Sequence, residues 1–462
     1  MDGSLVQNKQ SNHNKKSYKG KLPKYRPIAD SGLEALYLKL GERSSLQQSQ
    51  WQLLTEKGVP TNRHEDWKYT PLDLFSQPGR NWVNRTADVS RMLDDKILQL
   101  SIPVNANLLV FVDGAYCLEH SKIVSPGELT VSAIDSLNAD QMQDIQQAVA
   151  AEFVSQLNEA LAQDGVYIRV RKGAQLAQPI YLLHLHTCEP HAAVHYRHHF
   201  HLAMHAKAEL IEHYVSCVTD DAGYCPSRDC GSSTGTRLTM NVASNASLQH
   251  IKIIEENEHH AHFAHNDVSL GRDASAFSHV YFLQGQCCRH QTSAQFKGEN
   301  AYLTMNSLVL PRQQNVFDSR TYTDHRLPHC KSEQLHKVIA SDQGKGVFDG
   351  MILVPEGAVK TDGQMDNRNL LLGEQSQIFS KPKLEIYADD VKCSHGATTG
   401  SIDPQQLNYM QARGINRQAA KHMLTQAFAF DVVDRHQVIS DEDDHDTLAI
   451  WIKDRIAERL VL

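Results

Sequence analysis

The chain has 462 residues, of which 41% are hydrophobic and 22% charged, with a formal net charge of −8. That length suits two or three domains, and the negative balance argues against a nucleic-acid binder, which usually carries a basic stripe. No run approaches 18 apolar residues, so no transmembrane helix is expected. Nine cysteines without one C-x-x-C pair fit reduced thiols rather than a disulfide framework. The N-terminal segment has lysines but no apolar stretch, so it does not read as a secretory signal. The expectation is a cytoplasmic protein.

In chain order, residues 1–30 read as a disordered tail and residues 31–165 as a helical or mixed N-terminal domain. The spacing of Leu33, Leu36 and Leu40, and then of Trp51 and Leu54, predicts helix as far as Gly58. Trp67 and Tyr69, with proline on either side, read as aromatic anchors that pack a loop onto its domain. "NLLVFVDGAYC" reads as a strand followed by a hairpin-type turn at Asp113-Gly114. Residues 136–164 are predicted to form one long helix, with Ala150, Phe153, Leu157 and Leu161 on one face and Gly165 as its stop.

From residue 166 to about 400 the texture changes to successive short strands. A weak repeat places an alanine (Ala174, Ala208, Ala246, Ala274, Ala301) after a glycine or polar residue and before a strand. Small residues at such corners let coils stack closely around a continuous core. This region is expected to be a β-helix or related solenoid, with a β-sandwich as the lesser option.

Residues 401–462 return to helix. Asp403 and Pro404 suit an N-cap and first helical position, and Gly414 ends that helix. The next helix is expected to present Ala420, Met423, Leu424, Ala427 and Phe428 on one face. The last carries the stripe Leu448, Trp451, Ile452, Ile456 and Leu460, to pack on the parent domain or dock a partner.

The 26 histidines are the composition's oddest feature. His199, His201, His205 and Glu209 superficially resemble a cupin metal motif, which would support a metal-dependent oxygenase. The bracketing glycines of that motif are missing. Cys217, Cys225 and Cys230 have spacings unlike standard zinc sites and read as loop thiols. Gly344, Gly346 and Gly350 do not make a phosphate-binding loop, because the Gly-Lys-Ser/Thr ending is absent and a strand follows. A carbohydrate-active β-helix enzyme is disfavoured by the lack of a carboxylate cluster. In "DDVKCSHGATTG", Cys393 and His395 stand two apart at a strand, so they project to one face as a pair suited to soft metal or sulfur. The competing reading is a buried thiol beside a hydrogen-bonded imidazole.

The segments "GVPTNRHEDWKYTPL", "HYRHHFHL", "NASLQHIK", "HFAHNDVSL", "SEQLHK", "KTDGQMDNRNLLL" and "KPKLEIYADDVKCSHGATTGSIDPQQLNYMQARGI" resemble the SufB/SufD family of iron–sulfur cluster assembly scaffolds. The likeness runs in order from about residue 45 to beyond 430, and the Trp-Lys-Tyr-Thr segment is similar to the SufD side of the family. The resemblance implies a right-handed parallel β-helix core between an N-terminal mixed domain and a C-terminal helical domain. It also implies a non-enzymatic scaffold working with SufB and the ABC-type ATPase SufC, in a complex of one SufB, one SufD and two SufC. No cofactor is expected on the isolated chain. A nascent cluster would form at the SufB–SufD interface, with His395 as the functional ligand and Cys393 as its neighbour. A homodimer is expected when the chain is alone.

Overall fold

The computed structural model describes residues 25–76, 79–82, 90–138, 141, 144–145, 152–187, 191–217, 231–437 and 442–460. Order begins ahead of Ser31: Arg26 bridges Val59, and Ile28 is buried in a short helical turn.

The chain winds back and forth between two ten-stranded sheets, so that alternate strands join alternate sheets. The first sheet contains β1 (Asn81–Trp82), β4 (Leu129–Ala133), β5 (Val166–Val170), β7 (Ala192–Leu202) and β9 (Ser232–Val242). It continues through β11 (His260–Leu270), β13 (Cys287–Phe296), β15 (Val316–Asp324), β17 (Lys345–Val354) and β19 (Gln377–Ile386). The second holds β2 (Asn107–Val112), β3 (Ala115–Lys122), β6 (Ile180–His186), β8 (Lys207–Ser216) and β10 (Ser247–Glu255). It ends with β12 (Ser275–Gln284), β14 (Tyr302–Val309), β16 (Lys331–Ala340), β18 (Asp362–Leu371) and β20 (Lys392–Gly400). From β5 and β6 onward every neighbour is parallel, which is a β-solenoid and rules out the sandwich. At the N-terminal end two antiparallel pairings, β2 with β3 and β4 with β5, close the stack. The β2–β3 turn is the Asp113-Gly114 one, both residues having positive φ (47° and 89°) as a tight hairpin requires.

The corners follow a local rule. Lys207, Ser247, Ser275, Tyr302 and Lys331 stack in register, and the residue before each is Ala206, Ala246, Ala274, Ala301 or Cys330. These small side chains are all buried. One position earlier stand His205, Asn245, Asp273, Asn300 and His329, all left-handed with φ between 54° and 62°. Asn, Asp and His tolerate that region better than other side chains. The repeat read from the sequence is therefore correct at Ala246, Ala274 and Ala301 but misplaced at Ala208. That residue lies inside β8, opposite Leu248, while Ala206 makes the corner.

The single helix expected over 136–164 is interrupted. Glu152 has extended backbone (φ −114°, ψ 155°) and caps a new helix, Phe153–Leu161, by accepting from the Val154 N–H. Ala150 lies outside the described residues. The short helix is buried throughout and lies on the outer face of the first sheet. Its Asn158 amide donates to the carbonyls of Thr236 and Phe263 at 2.8 and 2.9 Å. Its Glu159 carboxylate accepts from Arg197 at 2.9 Å and Arg237 at 2.8 Å. Trp67 is buried beneath the Arg289 guanidinium (3.8 Å) and beside Phe153 and Phe263, as an anchor should be.

The C-terminal helices cover the second sheet. Leu448, Ile452, Ile456 and Leu460 are buried with Ile251, Tyr281 and Leu335, so this stripe packs on the parent domain. In the helix Arg417–Val433 the buried face is Ala420, Thr425, Ala429, Val432 and Val433. The expected face was rotated from this: Ala420 is buried, but Met423 and Ala427 are exposed and Leu424 and Phe428 half-buried.

Candidate functional site at the last coil

Cys393 and His395 sit on β20, the last strand of its sheet, in register with Gly363 and Met365 of β18. Met365 belongs to an interior apolar cluster with Phe348, Ile352, Val354 and Ala358, and Cys393 packs against the same cluster. Parallel partners share a face, so Cys393 and His395 both continue the inward-facing column. Among the described residues no further coil covers them. Cys393 is half-buried and His395 exposed. Burial pushes the Cys393 thiol up, and the nearby Asp362 carboxylate adds to this. The thiol is therefore protonated at neutral pH and a poorer ligand than a neutral imidazole.

The two edges of this coil differ in chemistry. The middle of β19 reads Lys381-Pro382-Lys383, and proline with lysine is how natural sheets blunt an open edge. From Cys393 to Gly400, β20 has no Asp, Glu, Lys, Arg or Pro, and most of it is exposed. Unblunted edges are templates for another strand. The N-terminal loop reaches this coil too: Lys381 pairs with Glu65 at 3.0 Å. Two neighbours that sequence inspection did not single out also stand here. The Asp366 carboxylate lies beside Gly396, where a Cβ would be 3.0 Å from it, and Gln364 accepts from Ser394.

The histidines elsewhere are mostly structural. His184 Nε2 and His198 Nε2 are 3.0 Å apart between the sheets. Buried Glu212 accepts from Asn266 (2.7 Å) and Tyr214 (2.8 Å) and pairs with His250 (2.8 Å) and Lys252 (3.2 Å). Burial holds His198 at about 3. The cupin-like set does not assemble. His205 is an exposed corner residue, and Glu209 is buried on β8, in the opposite sheet from His199 and His201. Cys217 is buried and free, while Cys225 and Cys230 lie outside the described residues. No helix among the described residues is long and apolar enough to cross a membrane.

Residues 185–428 match the family model described as "SUF system FeS cluster assembly, SufBD core domain", and residues 44–182 match the SufBD protein N-terminal region. The iron-sulfur cluster assembly protein SufD of Escherichia coli is 44% identical over 85% of this chain and 89% of its own length. A SufBD family protein of Synechocystis is 27% identical over 83% and 85%, and the SufD of Bacillus subtilis 23% identical over 60% and 61%. The chain belongs to the SufB/SufD family of iron–sulfur cluster assembly proteins and stands on its SufD side.

Proposed function

We propose that this chain is a scaffold subunit that assembles with a SufB-type paralogue and a SufC-type ATPase, and that its last coil forms one wall of the site where a nascent cluster is built. The observation that carries the reading is the uncovered β20, which joins an unblunted edge to inward-column donor side chains. In it, His395 is the principal ligand for iron of the nascent cluster, and Cys393, its thiol held protonated, contributes packing and secondarily a ligand. The sequence has no phosphate-binding loop, so ATP hydrolysis is assigned to the partner. Among the described residues, free Cys217, Cys287, Cys288, Cys330 and Cys393 suit a reducing cytoplasm. Without its paralogue the chain pairs with a second copy through the same open coil.

Co-expression with both partners tests this directly. Recovery of a complex containing all three chains, with ATP turnover only when the ATPase is present, is expected. Failure of this chain to bind either partner would overturn the proposal.

A further inference from the structure

The face of β7 opposite Phe200 and Leu202 carries His199 and His201 two residues apart. Asp144, from the segment between β4 and the helix Phe153–Leu161, lies against them. One donor atom from each of the three residues lies within 4.8 Å of the others. His199 is almost completely buried, with its Nδ1 at 2.6 Å from Thr239 Oγ1 and, among the described residues, no hydrogen-bond partner for its Nε2. His201 Nδ1 likewise has no hydrogen bond and stands 3.5 Å from Asp144 Oδ2. The Tyr167 hydroxyl donates to that same oxygen at 3.0 Å. A cavity of about 10 Å³, lined by Asp144, His199, Thr239 and Asp267 but not by His201, adjoins the three donors and is about the size of one small ion or water.

A buried ring nitrogen without a partner is costly, and a cation would satisfy it. The Nδ1 contact to Thr239 Oγ1 is compatible with the tautomer that carries its proton on Nδ1, and in that tautomer the Nε2 lone pair is free for a cation. This is the usual outer-shell arrangement of a metal-bound histidine. The neighbouring Arg197 is itself paired with Glu159 at 2.9 Å. Two imidazoles and a carboxylate suit zinc and similar transition metals, and are a poor set for the hard ions magnesium and calcium. The His201 and Asp144 side chains are 13% and 26% exposed, which leaves an entry path and a position for water.

We infer that Asp144, His199 and His201 bind one zinc-class divalent ion, which ties Asp144 to the solenoid. The site uses two of the cupin-like histidines without the rest of that motif, and it is separate from the last coil.

The test uses the full chain, stripped with chelator and titrated with Zn²⁺ by calorimetry, with Co²⁺ as the spectroscopic probe and Mg²⁺ as a control. Wild type should take up one equivalent of Zn²⁺ and show tetrahedral Co²⁺ bands, with no Mg²⁺ step. Asp144→Ala and His201→Gln, both at partly exposed positions, should keep the circular dichroism spectrum and weaken binding by at least about tenfold. His205→Asn, at an exposed corner outside the three donors, should bind as wild type does. No one-equivalent step in wild type, or wild-type affinity in both site variants, would overturn the assignment.

Discussion

Tyr69 stacks on Phe379 of β19, with ring centroids 3.9 Å apart and planes 13° apart, so the N-terminal loop clasps the last coil. An aromatic pair of this kind contributes about 0.5–1.5 kcal/mol beyond area burial. Tyr69→Ala should lower stability by about 1 kcal/mol. It should also speed amide exchange in β19 more than in β13, as read by hydrogen-exchange mass spectrometry. Equal protection of the two strands in wild type and variant would remove the loop's role as a clasp.

Stability should fall on acidification. Burial pushes His195, His198, His279, His325 and His336 down to about 3, from an ordinary value of 6.5. Unfolded, they bind protons below about pH 6.5 while the folded chain does not, so stability rises with pH across that window. The folded state carries no penalty from these groups above about pH 6.5, and the penalty grows progressively toward pH 3. Burial alone would raise Glu152, yet the neighbouring His265, 3.9 Å away, and the charge of Arg289 hold it at about 2, which adds a loss below the ordinary carboxylate range. His265 has the opposite sign, its raised value favouring the folded state at lower pH, but it is one group against many. Melting temperature should therefore hold above about pH 6.5 and drop between there and pH 5. A flat profile over that range would contradict the account.

Close stacking of coils should be visible at one glycine. A Cβ on Gly165 would lie 1.7 Å from the Arg197 carbonyl oxygen, a backbone atom held in the β7 ladder, whereas one on Gly400 would meet nothing within 4 Å. Gly165→Ala should destabilise by roughly 3 kcal/mol or more, and Gly400→Ala by at most about 0.5 kcal/mol. Denaturant midpoints of the two variants make the comparison. Equal midpoints would mean that the coils can separate there at little cost.

Docking of the ATPase is best tested on exposed helical residues. Deleting residues 404–462 would uncover the apolar face of Tyr281, Leu335 and Ile339, so it would confuse folding with binding. Tyr409 and Met423 are exposed on neighbouring helices. Tyr409→Asp/Met423→Asp should leave the melting temperature within about 2 °C of wild type, as surface changes usually do, and weaken ATPase co-purification. Unchanged co-purification would place the contact elsewhere.

The solenoid was legible because its corners need small or left-handed residues, and Ala246, Ala274 and Ala301 stand out for that reason. "AKAEL" contains two alanines, so spacing alone could not choose Ala206 over Ala208. The helix break at Glu152 was hidden because an extended residue that caps with its own carboxylate looks like any helical glutamate. The narrow buried face around Thr425 was missed because the more apolar Met423 and Phe428 pulled the stripe around the helix. Strands buried on both faces show no alternation, so the interior histidine network had no periodic signal. Asp144 is distant in sequence from His199, and only the docking of the N-terminal segment brings them together. At the last coil, strand alternation alone paired Cys393 with His395. That the pair lies uncovered depends on where the solenoid stops, which local sequence does not encode.

The most direct measurement compares His395→Ala and Cys393→Ser in complexes reconstituted with both partners and matched for subunit content. Cluster formation is followed by visible absorption and bound iron. His395 is exposed, so its replacement should leave folding and assembly intact while cluster yield falls by about tenfold or more, as loss of a ligand would produce. Cys393→Ser should have the smaller effect, or act through stability, because its side chain packs on the Met365 cluster. Wild-type cluster yield from the His395→Ala complex would contradict the assignment and leave the imidazole a surface residue at the end of the solenoid.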